Sequence, residues 1–139
     1  MASWPRTVYV IDDEVHVLRA LARLIRSASM EVVELSCVQD LLEIASLDSE
    51  GCVVSDVRMP GESGLTIPRH LAERGTPLPV IFVTAVADEE TRSKAERVGA
   101  VAFLQKPVDE DELLNALSKA VAAKPGATGG SIWHLDDFR

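Results

Sequence analysis

The chain is short of positive charge: 14 lysines and arginines stand against 22 aspartates and glutamates, for a net charge of -8. Such a surface repels a phosphate backbone, which excludes nucleic-acid binding by this chain alone. No apolar run approaches the ~18 residues that a membrane span requires. The start, residues 1–6, also lacks the basic segment and apolar stretch of a secretory signal, so a cytosolic location is expected. Glycine-rich phosphate loops and dinucleotide-binding glycine motifs are both missing. The two cysteines, Cys37 and Cys52, form no CxxC and have no nearby histidine pair, so they are expected to be core-filling thiols. His16, His70 and His134 fit no metal or triad spacing and read as solvated or partner-facing side chains.

What remains is a 139-residue chain with 47% hydrophobic and 26% charged residues, enough for one folded domain with a single core. Short β-branched apolar runs at 7–11, 31–35, 51–55, 79–84 and 100–104 alternate with stretches of helical period. This is the pattern of an α/β protein whose parallel sheet is covered by helices on both faces. The fourth run is apolar throughout Val80, Ile81, Phe82 and Val83, as expected of a strand buried on both faces.

The first helix carries one stripe of Val17, Leu18, Leu21, Leu24, Ile25 and Ala28, with Arg19, Arg23 and Arg26 turned away. Ser36 with Gln39, and Asp109 with Glu112, read as capping boxes that start the second and fifth helices. The fourth helix, over 88–98, has only Ala95 and Val98 as clear apolar anchors. A conformational switch would involve this loosely held helix at least cost. Pro68 implies that the third helix, over 65–74, either starts late, capped by Thr66, or is kinked. The segment 6–123 reads as the folded domain; 124–139 reads as a glycine-rich linker and a tail bearing Ile132, Trp133, Leu135 and Phe138.

The residues with chemical potential sit at strand ends. Asp12 and Asp13 follow the first strand, Asp56 ends the third, Thr84 ends the fourth and Lys106 follows the fifth. In an open parallel sheet, ligands bind beyond the carboxyl ends where the strand order reverses, so these five residues are expected to converge. Three gathered carboxylates repel one another unless a hard cation or a lysine compensates them. Mg²⁺ suits an all-oxygen set completed by phosphate oxygens. A carboxylate in such a place can attack a phosphoryl group, and Asp56, alone at its strand end, is the best nucleophile. The Thr84 hydroxyl and Lys106 ammonium would meet the new phosphoryl oxygens.

Four segments carry a resemblance to a known family: Val10-Ile-Asp-Asp-Glu14, Ser55-Asp-Val-Arg-Met-Pro-Gly61 with Gly64, Val83-Thr-Ala85, and Phe103-Leu-Gln-Lys-Pro107. Over about residues 6–123 the chain resembles the receiver domain of two-component response regulators, closest in motif to the branch that often carries a helix-turn-helix output domain. The resemblance implies a flavodoxin-like, doubly wound (βα)5 fold with strand order 2-1-3-4-5. It implies Mg²⁺-dependent phosphorylation of Asp56 from the phosphohistidine of a sensor histidine kinase or phosphotransfer protein. Asp13, Asp56 and the Arg58 backbone carbonyl would hold the ion, and Asp12 would act mainly through a metal-bound water. Thr84 and Phe103 would form the switch, altering the face of helix 4, strand 5 and helix 5, where a homodimer could form. Lys106-Pro107 would be a cis peptide, and Arg58 and Val86 would tune phosphoryl lifetime. A protein of this kind is a phosphoacceptor that catalyses its own modification rather than a turnover enzyme.

Two rivals share part of the pattern. An aspartyl-phosphate hydrolase of the haloacid dehalogenase type needs a second aspartate two residues past the nucleophile, where this chain has Arg58. A flavodoxin-like flavin-binding module needs a Ser, Thr and Gly-rich loop after the first strand, where this chain has Asp12, Asp13 and Glu14. The tail leaves two expectations: a stand-alone receiver that docks other proteins, slightly favoured, or the stub before an output domain.

Overall fold

The computed structural model describes residues 4–122. The expected linker and tail at 124–139, with His134, lie outside the described residues. Five strands, β1 (Thr7–Ile11), β2 (Glu31–Leu35), β3 (Cys52–Asp56), β4 (Val80–Thr84) and β5 (Ala102–Gln105), form one parallel sheet in the order β2-β1-β3-β4-β5. Helices α1 (Val15–Ser27), α2 (Val38–Leu42), α3 (Ile67–Glu73), α4 (Glu89–Arg97) and α5 (Glu110–Ala122) follow the strands in turn. The chain steps from β1 to β2 in one direction and from β2 through β5 in the other. Right-handed crossovers therefore put α1 on one face and α2, α3 and α4 on the opposite face. This is the expected doubly wound order, with its reversal between β1 and β3.

Every residue of β1, β3 and β4 is buried, which explains their unbroken apolar character. β2, at the sheet edge, exposes Glu31 and Glu34. Arg26 of α1 reaches over that edge, donating to the Glu34 carboxylate at 2.8 Å and the Val32 carbonyl at 3.3 Å. Phe82, Ile11, Ile25, Leu41, Ile67 and Leu117 are among the largest fully buried side chains. Each contributes roughly 1.5–3 kcal/mol of burial.

Several local expectations are corrected. Strands β3 and β4 begin one residue, and β5 two residues, later than the apolar runs that announced them. Ser36 does not cap α2: Cys37 holds the cap position without a side-chain bond, and the Ser36 hydroxyl donates to Asp40 instead. The short helix is secured from outside, where Arg74 donates to the Leu42 and Ile44 carbonyls at 2.7 and 2.8 Å. Cys37 is therefore half-buried at a helix start rather than in the core, whereas Cys52 is fully buried. Burial pushes the Cys52 thiol far above its ordinary range.

Of the two alternatives for Pro68, the late start is observed. A 3₁₀ turn at Gly64–Thr66 precedes α3, and the proline falls in the first helical turn, where its missing N–H costs nothing. The Thr66 hydroxyl donates to the Ser63 carbonyl and does not cap the helix. In α4, Val98 is 37% exposed at the C-cap; Thr91 and Ala95 are the buried anchors. The fifth helix starts as expected, with the Glu112 N–H donating to the Asp109 carboxylate at 3.1 Å.

Candidate functional site

The carboxyl ends of β1, β3, β4 and β5 open on one crevice, and it is built around the Lys106 ammonium. Nζ donates to Asp12 Oδ2 at 2.7 Å and to Asp56 Oδ2 at 3.0 Å, joining residues 94 and 50 positions apart in sequence. Asp12 is fully buried, and its other oxygen accepts from the Glu14 N–H at 2.8 Å. Asp56 is 7% exposed, and its Oδ1 accepts from the Arg58 N–H at 3.3 Å. Asp13 is exposed beside them, and one ligand atom from each of Asp12, Asp13 and Asp56 falls within 4.8 Å of the others. The sequence-predicted acidic residues and lysine are thus brought together.

Backbone contacts at Lys106 and Gly64 fix this geometry. The Lys106 N–H donates to the Thr84 carbonyl at 2.8 Å, which ties the residue after β5 to the end of β4. The Lys106-Pro107 peptide is cis. Gly64 packs directly under the phosphoacceptor candidate: a Cβ there would lie 2.1 Å from the Asp56 carbonyl oxygen and 2.8 Å from Ser55 Oγ. Only glycine permits this close approach of the turn to the strand. The Gly64 N–H donates to the Val57 carbonyl at 2.9 Å and completes the seat.

The electrostatics are those of an incompletely compensated site. Burial raises the Asp56 carboxyl above the ordinary aspartate range, and the Asp12 charge adds to this, while hydrogen bonding to Lys106 pulls the other way. Burial works against the Lys106 charge too, but the Asp12 and Asp56 carboxylates outweigh it, so the ammonium is held more firmly than usual. One ammonium faces three carboxylates. An all-oxygen set of this kind fits a hard divalent cation with room for phosphate oxygens and water.

The two switch candidates direct their side chains to other partners than the cluster. Thr84 is 1% exposed, and its hydroxyl accepts from the Val86 N–H at 3.2 Å and faces the Val86 carbonyl at 3.4 Å. It is therefore turned onto the β4–α4 loop and not toward Asp56. Phe103 is 7% exposed, with the Arg92 guanidinium of α4 5.9 Å over its ring. Three contacts escaped the sequence reading because each joins side chains of different segments at no periodic spacing. Arg92 of α4 covers Phe103. The Arg58 guanidinium lies 4.0 Å from the Asp88 carboxylate. His70, expected to be solvated or partner-facing, is half-buried with Nε2 2.5 Å from the Glu62 carboxylate, a hydrogen bond that anchors the β3–α3 loop. An acidic residue eight positions before a lone histidine gave no periodic signal that could have found this last pair.

Residues 8–118 match the family model described as the response regulator receiver domain. The chain belongs to this family. The receiver domain is 41% identical over 116 residues to the transcriptional regulatory protein TdiR of Thauera aromatica, covering 84% of this chain and 51% of that protein. It is 38% identical over 125 residues to the response regulator protein TodT of Pseudomonas putida, covering 90% of this chain and 55% of TodT. Among solved structures, the crystal structure of FixJ-N superposes with a TM-score of 0.75 at 28% identity, covering 88% of this chain and 96% of that one. The response regulator StyR gives a TM-score of 0.74 at 37% identity, covering 88% of this chain and 61% of that one. The receiver domain spans about half the length of the curated relatives it matches. It is a two-component signalling domain of the class that works with histidine kinases. Among the described residues no helix is long and apolar enough to cross a membrane.

Proposed function

We propose that Asp56 is the phosphoacceptor of this receiver domain, taking a phosphoryl group from the phosphohistidine of a sensor histidine kinase or phosphotransfer protein. The observation that supports it best is the Lys106 ammonium shared by Asp12 and Asp56, with a third carboxylate beside them. In the transfer, an ionised Asp56 oxygen forms the new O–P bond as the donor's N–P bond breaks. The departing imidazole keeps the bonding electron pair and takes a proton from solvent. Lys106 lies where it can neutralise a developing phosphoryl oxygen and keep Asp56 ionised against its burial. Asp12, Asp13, Asp56 and the Arg58 backbone carbonyl would hold Mg²⁺, which when bound supplies charge compensation for the carboxylates and the transferring oxygens.

Thr84 would swing from Val86 to the phosphoryl group, and the change would reach the face made by α4, β5 and α5, where a homodimer or a downstream partner would read it. Arg92 of α4 lies over the Phe103 ring, so a change at Phe103 would be felt by that helix together with the movement of the Thr84 hydroxyl. The protein acts in the cytoplasm as a phosphoacceptor with self-catalysed phosphorylation and dephosphorylation. Relatives named as transcriptional regulatory proteins favour gene regulation as the output of the pathway.

The test is labelling with acetyl phosphate and Mg²⁺. The wild-type protein should be phosphorylated, Asp56→Asn should not, and excess chelator should stop labelling. Full labelling of Asp56→Asn would overturn the assignment, and undiminished labelling in chelator would overturn the metal.

A further inference from the structure

The side chain of Arg58 bridges two parts of the molecule that phosphorylation must connect. Its backbone N–H donates to Asp56 Oδ1 at 3.3 Å, so its Cα is anchored beside the proposed phosphoacceptor. Its guanidinium instead reaches the β4–α4 connection, where Nη2 lies 4.0 Å from Asp88 Oδ2. The other oxygen of Asp88 caps α4, accepting from the Thr91 N–H at 2.8 Å. Arg58 and Asp88 side chains are 63% and 51% exposed, so neither is locked in place by packing. The helix that Asp88 starts buries only Thr91 and Ala95 and is lightly held.

A phosphoryl group on Asp56 would carry more negative charge than one carboxylate and would offer oxygens suited to the guanidinium fork. The pair with Asp88 is long and solvated, and pairs of that kind are weak. Resting on the phosphoacceptor reading above, we propose that Arg58 is a charge-exchange link: it pairs with Asp88 in the unmodified protein and transfers to the phosphoryl oxygens on modification, withdrawing its positive charge from the carboxylate that caps α4. Asp88 and the phosphoryl group therefore compete for one guanidinium. Arg58 acts here as a positioning residue for α4 as well as a phosphoryl partner, and the signal to α4 passes through this exchange in addition to the Thr84 hydroxyl.

A double-mutant cycle tests it on the whole chain, with beryllofluoride and Mg²⁺ as the phosphoryl mimic. The variants are Asp88→Asn, which keeps a good helix cap while removing the charge, Arg58→Ala, Arg58→Lys and the pairs Asp88→Asn/Arg58→Ala and Asp88→Asn/Arg58→Lys. Asp88→Asn should bind the mimic about threefold more tightly than wild type, the size set by an exposed ion pair. In the Arg58→Ala background the same change should have no effect. Arg58→Lys should keep part of the response to Asp88→Asn, which a purely structural role would not allow. Hydrogen exchange at the start of α4 should change on adding the mimic to wild type, and change less in Arg58→Ala, where only the Thr84 route remains. An equal effect of Asp88→Asn in both backgrounds, or unchanged exchange of α4 in wild type, would overturn the link while leaving the phosphoacceptor reading intact. Failure of wild type to bind the mimic at all would overturn both.

Discussion

The two ends of the sheet treat an aspartate in opposite ways. At the amino ends, Asp48 accepts from the Glu50 N–H at 2.9 Å and the Thr7 hydroxyl at 2.8 Å, with Arg6 3.8 Å away, while its own N–H donates to the Tyr9 hydroxyl at 2.8 Å. The Glu50 N–H, then the Thr7 hydroxyl, hold this carboxyl below the ordinary aspartate range. At the carboxyl ends, Asp56 shares one lysine with Asp12 and is driven above that range, first by burial. The satisfied aspartate is a clasp for the strands. The crowded one carries a charge that the folded chain alone does not fully compensate, which is the condition for binding a cation and accepting a phosphoryl group.

The contrast can be broken most severely through the backbone beneath the site. Gly64→Ala places a methyl group against the Asp56 carbonyl and should cost about 3 kcal/mol, read by urea denaturation; a loss near zero would mean the turn yields freely. Asp48→Ala removes the clasp and should cost about 2 kcal/mol. Asp56→Asn should have the opposite sign, raising stability by about 1 kcal/mol, or roughly 4 °C in Tm without Mg²⁺. Equal signs at Asp48 and Asp56 would dissolve the distinction between the two ends.

The smallest effect is in pH. Because the folded carboxyl of Asp48 is lowered, its contribution is fully present above the unfolded value, near ~3.9, and is lost as pH falls through the folded one. Asp56 is raised, so its contribution is present below that unfolded value and lost as pH rises through the folded one. Wild type should therefore lose stability faster on acidification than Asp48→Asn. Matching acid profiles would remove Asp48 from the clasp.

Much of this was legible in the sequence, for physical reasons that particular residues make plain. β1 and β2 announced themselves because β-branched runs bounded by charged or capping residues admit few other readings. The gathering of Asp12, Asp56 and Lys106 followed from strand polarity alone, since the residue after each parallel strand must emerge at the same edge. Side-chain partners chosen between elements were not legible. The Ser36 hydroxyl preferred Asp40 to a capping bond, Val98 stayed exposed at the end of α4 while Thr91 was buried, and Phe103 was covered by Arg92. The Asp48 clasp joins residues 41 and 39 positions apart, beyond any local pattern.

The most direct measurement is the identity of the modified residue. After treatment with acetyl phosphate and Mg²⁺, borohydride reduction of the acyl phosphate followed by peptide mass spectrometry should find homoserine at position 56 alone. Homoserine at position 12 or 13, or none anywhere in a protein that has bound the cation, would contradict the assignment of the crowded carboxylate as the group that receives the phosphoryl.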